Sequence, residues 1–259
     1  MNRKNVIVNR MGGLGNQLFQ YAAARAVARH HPEAQIYIGN ETENSHNHKC
    51  YDYANLFMKY AVLEEGISCG DEFRQSGPFT PWHPETLSPP IKLCGYFQYF
   101  PAIEKVLPDL IVEFKGALQN FIPEFVDPKK SVFIHVRRGD YLRLPGYHYI
   151  QTQAYYENAF REWLKRYQGD DFNVFMVSDD PQWCRDQPWS FPRILYENDD
   201  EIATLALMSQ CQAGAIIANS SFSYWGAILT ESPNVFYPKN WINETVHDLF
   251  PSEWVCVSG

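Results

Sequence analysis

The sequence predicts an α/β protein of two lobes meeting at a cleft, each built on a parallel sheet. Three observations carry this. Short, continuously apolar runs of strand length alternate with stretches of helix length, the pattern of strands covered on both faces. A length of 259 residues has room for two compact domains. Finally, "FIPEFVDPKK" carries two prolines between the two stretches of this rhythm and reads as a linker. The expected lobes are 1–127 and 128–259.

In chain order, "NVIVNR" is a strand, "GGLGN" a turn, "QLFQYAAARAVARHH" a helix and "AQIYIG" the next strand, which makes an opening βαβ. Residues from about Asn40 to Phe100 are rich in Pro, Gly and aromatics and receive no assignment. The second half is more regular. "SVFIHV" is β-branched and aromatic, and "QAYYENAFREWLKRY" places Tyr155, Ala159, Trp163 and Tyr167 at helical spacing. "FNVFMV" and "RILY" are further strands, and "DDEIATLALMSQC" is a helix whose acidic first turn suits the macrodipole. "GAIIA" is a strand, "NSSFSYWGAILTE" opens another helix, and "NVFYP" is a last strand.

Composition excludes several function classes. Net charge is −8, from 22 basic and 30 acidic residues, which argues against a nucleic-acid partner. An arginine cluster in such a chain is aimed at a small anion. The six cysteines (Cys50, Cys69, Cys94, Cys184, Cys211, Cys256) lie far apart without a C-x-x-C pair and read as free thiols in a reducing compartment. "MNRKNVIVNR" is basic, but Asn16, Gln17 and Gln20 interrupt the apolar residues beyond it, unlike a signal peptide or anchor. No apolar run approaches the roughly 20 residues that span a bilayer. The expected location is cytoplasmic, where the sequons at Asn40, Asn219 and Asn243 carry no weight.

Three polar clusters in the second half share one location. "HVRRGD" follows the first strand, "SDD" the second and "NSS" the fourth, all at carboxyl ends of strands, the ligand edge of an open α/β sheet. Burying two adjacent arginines, Arg137 and Arg138, is costly unless an anion meets them. His135 shares a strand face with Arg137, and "NSSFSYWG" supplies a helix N-terminus preceded by hydroxyls, an anion cradle. A diphosphate between the arginines and the Ser220–Ser221 helix end would meet both needs. The competing account is a surface turn in which Asp140 pairs with an arginine; an R-G-D adhesion loop does not suit a tripeptide abutting a core strand.

Other motifs fall short. "RMGGLGNQLFQYA" has no G-K-[ST], and Leu18 stands where a dinucleotide fold needs Gly or Ala. What remains is a tight turn where backbone approaches a ligand, with Arg10, Asn16 and Gln17 nearby, or else a plain strand–helix turn capped by Asn16 or its neighbour. "HNHKC" (His46, His48, Cys50) has ligand types but no second cluster, so no metal is expected there. Of the pairs Asp170–Asp171, Asp179–Asp180 and Asp199–Asp200, only the second sits at the ligand edge, where it could hold a metal or accept hydrogen bonds from a base or ribose. Arginines opposite phosphates make a metal less necessary.

In order, "GGLGNQLFQYA", "HVRRGDY", "VSDD" and "ANSSFSYWGA" resemble the motifs of the inverting α-1,2-fucosyltransferase family, with a fragment, "GYFQ", between them. The resemblance implies a GT-B-like fold of two facing Rossmann-like lobes, with an acceptor side in the first lobe and the GDP-sugar in the second. It implies GDP-β-L-fucose as donor, a glycan or saccharide acceptor, inversion, and no metal or other cofactor. Carried over, Arg137 with Arg138 would bind the diphosphate, Ser220, Ser221 and Phe222 would cap it, and Ser178 and Asp179 would lie near the nucleoside. His135 and Asn219 would line the same edge, and Gly15, Asn16 and Arg10 would approach the sugar–phosphate from the first lobe. Asp140 and His148 are the two candidate bases. This chain departs from many relatives in carrying Tyr224 in place of tryptophan and in being shorter; starting almost at its first strand, it resembles bacterial or viral members. Two other functions stay open: transfer of a different GDP-sugar such as GDP-rhamnose, or a non-catalytic nucleotide-sugar or glycan-binding module.

Overall fold

A computed structural model describes residues 4–43, 53–63, 71–124, 126–242, 246 and 248–259. It is α/β throughout, as two units. The first contains β1 (Asn5–Met11), α1 (Leu14–Arg29), β2 (Gln35–Glu43), α2 (Tyr53–Phe57), β3 (Ala61–Leu63), β4 (Asp71–Arg74), β5 (Ile91–Cys94), α3 (Phe100–Ile103) and α4 (Leu107–Leu118). Its sheet runs β3-β2-β1-β5-β4 with every pair parallel. Helix α1 is buried almost all round, which its small residues Ala22, Ala23, Ala24 and Ala26 permit.

The second unit contains β6 (Ser131–Val136), α5 (Gln153–Arg166), β7 (Asn173–Ser178), α6 (Pro181–Asp186), β8 (Ile194–Tyr196), α7 (Glu201–Gln210), β9 (Gly214–Ile216), α8 (Ser221–Thr230), β10 (Val235–Pro238) and β11 (Val255–Val257). The sheet order β8-β7-β6-β9-β10-β11 is that of a doubly wound dinucleotide fold, again all parallel. All six residues of β6 are buried, as a central strand covered on both faces requires. Against it pack Tyr155, Tyr156, Ala159, Phe160 and Trp163 of α5, the side chains at helical spacing. Two of their polar tips are bonded: Trp163 Nε1 donates to Ala213 O at 2.9 Å and Tyr155 Oη to Ile217 O at 2.6 Å, while the buried Tyr156 Oη has no hydrogen-bond partner among the described residues. These bonds let Trp163 and Tyr155 enter the core without stranding their own donors.

The chain divides as Met1–Ala117 with His247–Phe250, and Leu118–Val246 with Pro251–Gly259. The division falls at Ala117/Leu118 and not at 127/128, and "FIPEFVDPKK" does not behave as a linker. The 3-10 turn Gln119–Phe121 packs on α7. Gln212 N donates to Pro128 O at 3.0 Å, and Ser131 Oγ to Asp127 O at 2.6 Å, so these residues belong to the second unit. The stretch 40–100 holds α2, β3, β4 and β5; β5 and β4 extend the sheet from β1 on the side away from β2. His46, His48 and Cys50 lie outside the described residues, as does Asn243. Among the described residues no helix is long and apolar enough to cross a membrane.

Candidate functional site

Sheet topology brings the three polar clusters of the second unit to one place. Strands β7, β6 and β9 are neighbours, so "RRGD", "SDD" and "NSS" leave adjacent carboxyl ends. The chain winds from β6 through β7 to β8, then returns to β9 on the other side of β6. The switch point therefore lies between β6 and β9, the position where open α/β sheets bind ligands. The first unit repeats the device: its order reverses between β1 and β5. "GGLGN" follows β1, "GYFQ" follows β5, and Gln98 Nε2 donates to Asn16 Oδ1 at 2.9 Å across that switch.

Helix α1 starts at Leu14 with Gly13 as N-cap and no side-chain cap, so Asn16 is not the cap but sits inside the first turn. Gly15 is buried there too. Gly12 has φ +69, and a Cβ on it would stand 2.4 Å from Asn16 Nδ2, so backbone and Asn16 side chain approach only because residue 12 is glycine. Gln20 closes the end of β1, accepting from Met11 N at 2.9 Å and donating to Met11 O at 3.1 Å. Arg10 Nε reaches Gly39 O at 3.4 Å. The "GGLGNQLFQ" motif thus builds the turn as well as presenting it.

In the second unit Arg137 is the centre. Its Nη2 lies 2.7 Å from Asp140 Oδ1, and its Nε 3.2 Å from Asp179 Oδ2. Both are ion pairs by distance, yet among the described residues neither Arg137 Nε nor Asp140 Oδ1 has a partner in hydrogen-bond geometry. Burial works against the charge on Arg137; Asp179 and Asp140 outweigh it, and its pKa stands above the ordinary arginine value. The guanidinium also lies 5.4 Å from the ring centroid of Tyr141. Tyr141 Oη donates to Asn219 O at 2.8 Å, one residue before Ser220 caps α8 by accepting from Phe222 N at 3.3 Å. Tyr141 therefore links the arginine turn to the α8 N-terminus.

Arg138 is placed differently. Its Nε donates to Asp180 Oδ2 at 3.1 Å, and its guanidinium lies 4.4 Å from the Trp183 ring centroid on α6. Asp180 also caps α6 through Trp183 N at 3.1 Å, and Ser178 Oγ accepts from Asp180 N at 2.9 Å. Asp179 Oδ1 accepts from Arg138 N at 2.8 Å. The pair expected near a base or ribose instead has its carboxylate oxygens on the arginine turn and on α6. Gly139 shows how tightly: a Cβ there would sit 2.5 Å from Asp179 Oδ2.

Asn219 is 3% exposed and is the knot of the site. Its Nδ2 donates to Tyr149 O at 2.8 Å and Trp241 O at 2.7 Å, and its Oδ1 accepts from Gln151 Nε2 at 3.3 Å. Its side chain ties three loops together, so it positions the edge and is not a sequon open to modification. Ser221 and Phe222 are partly exposed at the start of α8. His148 stacks on Tyr141, ring centroids 3.8 Å apart and 4° from parallel. Tyr141, Gln151 and Trp183 carry no signal in the sequence that singles them out; only Tyr141 lies inside a motif, as the last letter of "HVRRGDY".

His135 is 4% exposed, its Nδ1 has no hydrogen-bond partner among the described residues, and its ring lies 5.9 Å from that of Phe222. Burial, with the Arg137 charge beside it, lowers its pKa to about 3. The native state holds it neutral, while the unfolded chain protonates it near pH 6.5. Stability from this group is therefore complete above pH ~6.5 and is lost as pH falls toward 3, by up to roughly 1.4 kcal/mol per pH unit. His135→Gln should flatten the acid limb of a Tm-against-pH curve; an unchanged limb would show that the ring is solvated in solution.

Two doubly wound α/β units are the architecture of the GT-B-like class of glycosyltransferases. The chain belongs to glycosyl transferase family 11, whose model matches residues 88–258. It is 25% identical over 295 residues to an Escherichia coli alpha-1,2-colitosyltransferase, covering 97% of this chain and 98% of that protein. It is 30% identical over 134 residues to galactoside alpha-(1,2)-fucosyltransferase 1 of Sus scrofa, a match covering 48% of this chain but 36% of that protein. Among solved structures, NodZ alpha-1,6-fucosyltransferase co-crystallized with GDP superposes with a TM-score of 0.56 at 14% identity, covering 90% of this chain and 94% of that one.

Proposed function

We propose that this protein transfers L-fucose from GDP-β-L-fucose to a saccharide hydroxyl, α-1,2 to a galactose, with inversion and without a metal ion. The observation that carries the donor assignment is Arg137, charged and partly buried at the β6/β9 switch point and joined through Tyr141 to the N-terminus of α8. As the bond from the anomeric carbon to the GDP oxygen breaks, negative charge builds on the diphosphate, and preorganised cationic and dipolar donors stabilise it. Ser221 and Phe222 in the first turn of α8 present the helix dipole to the same group. The acceptor hydroxyl forms the new bond as its proton passes to a base. Asp140, already paired with Arg137, is the poorer base, and we assign the role to His148.

Membership of family 11 and the fucosyltransferase relatives support fucose; the full-length similarity to a colitosyltransferase favours a second donor. Colitose is the 3-deoxy counterpart of fucose, so the two differ by one hydroxyl. Metal independence is supported by the carboxylates of Asp179 and Asp180, which are engaged by arginines and by backbone N–H groups. A cytoplasmic location belongs to the same proposal, supported by the free, buried Cys94, Cys184 and Cys211.

The test is a donor screen, with GDP release and product linkage measured for GDP-fucose, GDP-colitose and GDP-rhamnose against a glycan panel, with and without EDTA. GDP should raise the Tm where UDP at equal concentration does not. GDP-fucose turnover insensitive to chelator is expected. Turnover lost to EDTA and restored by Mn²⁺ would overturn the metal-free mechanism, and no turnover with any donor would leave a binding module.

A further inference from the structure

We propose that the loop Leu142–Tyr149 is the acceptor platform, a surface on the second unit that takes the apolar C–H face of a pyranose; this rests on the glycosyl-transfer function above. Nine large apolar side chains are exposed among the described residues, and four of them lie on this one loop: Leu142 at 47%, Leu144 at 43%, Tyr147 at 48% and Tyr149 at 36%. Scattered exposed apolar residues need no explanation, but a cluster marks a binding surface.

The loop is not a loose segment. Leu142 N donates to Arg138 O at 2.9 Å, Leu144 N to Tyr141 O at 3.1 Å, and both Tyr147 N and His148 N to Leu144 O at 3.0 Å. Asn219 pins both ends, its carbonyl accepting from Tyr141 Oη and its amide donating to Tyr149 O. A backbone held this firmly could have turned these side chains inward or carried polar ones; it holds them out.

Continuity with the donor site indicates the occupant. An unbroken run of rings leads out from Arg137: the guanidinium lies on Tyr141, Tyr141 stacks on His148, and Tyr147 meets His148 edge-on at 4.8 Å and 85°. A saccharide lying on Tyr147 and Tyr149 has its hydroxyls beside His148, the proposed base. Two other occupants fit less well. A stable dimer needs roughly 800 Å² and 20–30 residues from each partner, far more than one short loop. An anionic membrane surface would repel a chain of net charge −8.

The test is the double variant Tyr147→Ala/Tyr149→Ala, with Tyr147→Phe as the conservative control. The probe acceptors are lactose, methyl β-glucoside and methyl β-N-acetylglucosaminide. The expected result is a rise of tenfold or more in acceptor KM, with donor KM and acceptor-independent GDP release unchanged, and near-complete retention in the Phe control. Saturation-transfer NMR of the same sugars, without donor, should show contact in the wild type that the double variant loses. An acceptor KM within twofold of wild type, or sugar contacts that survive in the double variant, would overturn the platform. So would a wild-type dimer, or binding to phosphatidylserine vesicles, abolished by Leu142→Ser/Leu144→Ser. Absence of GDP release from GDP-fucose in the wild type would instead overturn the donor assignment, and the NMR arm would then decide the platform alone.

Discussion

Arg137→Ala is expected to reduce turnover by roughly 10²–10³, the usual cost of removing one preorganised donor to a leaving group. The contact strengthens as charge accumulates on the diphosphate, so single-turnover rate should fall along with donor affinity. Arg137→Lys keeps the charge but loses the planar fork and should recover little. The structure sharpens the competing account, because Arg137 is already within ion-pair distance of Asp140 and Asp179. If those pairs are its whole purpose, Arg137→Ala will lower the Tm while the folded fraction turns over almost normally. Melting temperature and single-turnover rate on the same preparation separate the two.

Asn219→Ala is expected to be the most destabilising single change at the site. It removes the donors to Tyr149 O and Trp241 O and the acceptor of Gln151 Nε2; the bonds to Trp241 and Gln151 are buried and that to Tyr149 is part-buried. Each stranded buried group costs about 1–3 kcal/mol, partly relieved by relaxation and by the second bond of Gln151 to Asn240 O. A net loss of about 2–4 kcal/mol corresponds to a fall in Tm of roughly 5–15 °C. Because Asn219 also pins the loop that carries Tyr147 and Tyr149, acceptor KM should rise in whatever remains folded. A Tm within a degree or two of wild type would show that these loops are held by something other than the Asn219 amide.

Much of the candidate site's placement in the fold was legible in the chain itself. The alternation of apolar strands with helices placed "RRGD", "SDD" and "NSS" at carboxyl ends of parallel strands, because strand order along the chain and strand direction are local properties. What no local pattern contains is which strands are neighbours. That β9 returns beside β6, and not beyond β8, is decided by packing across both faces of the sheet, and it is this that makes one site from three clusters. The stretch 40–100 was illegible for a related reason: β3, β4 and β5 are three or four residues each, too short for a period to show. The boundary at 127/128 failed because prolines mark a break in regular structure, and here the broken segment packs on its own unit.

Residue type and spacing were enough for the class of fold, the polarity of the strands, the arginine pair and the hydroxyl-capped helix. How the charges are shared out depended on tertiary packing. Arg137 and Arg138 are adjacent in the chain, yet one turns to Asp140 and Asp179 beside Tyr141 while the other is taken up by Asp180 and Trp183 of α6. Likewise Asn219 reads as a ligand residue in "NSS" but spends its amide on Tyr149, Trp241 and Gln151. The physical reason is the same in each case. A buried polar group must find a partner, and the partner is supplied by whichever distant segment the fold brings within about 3 Å.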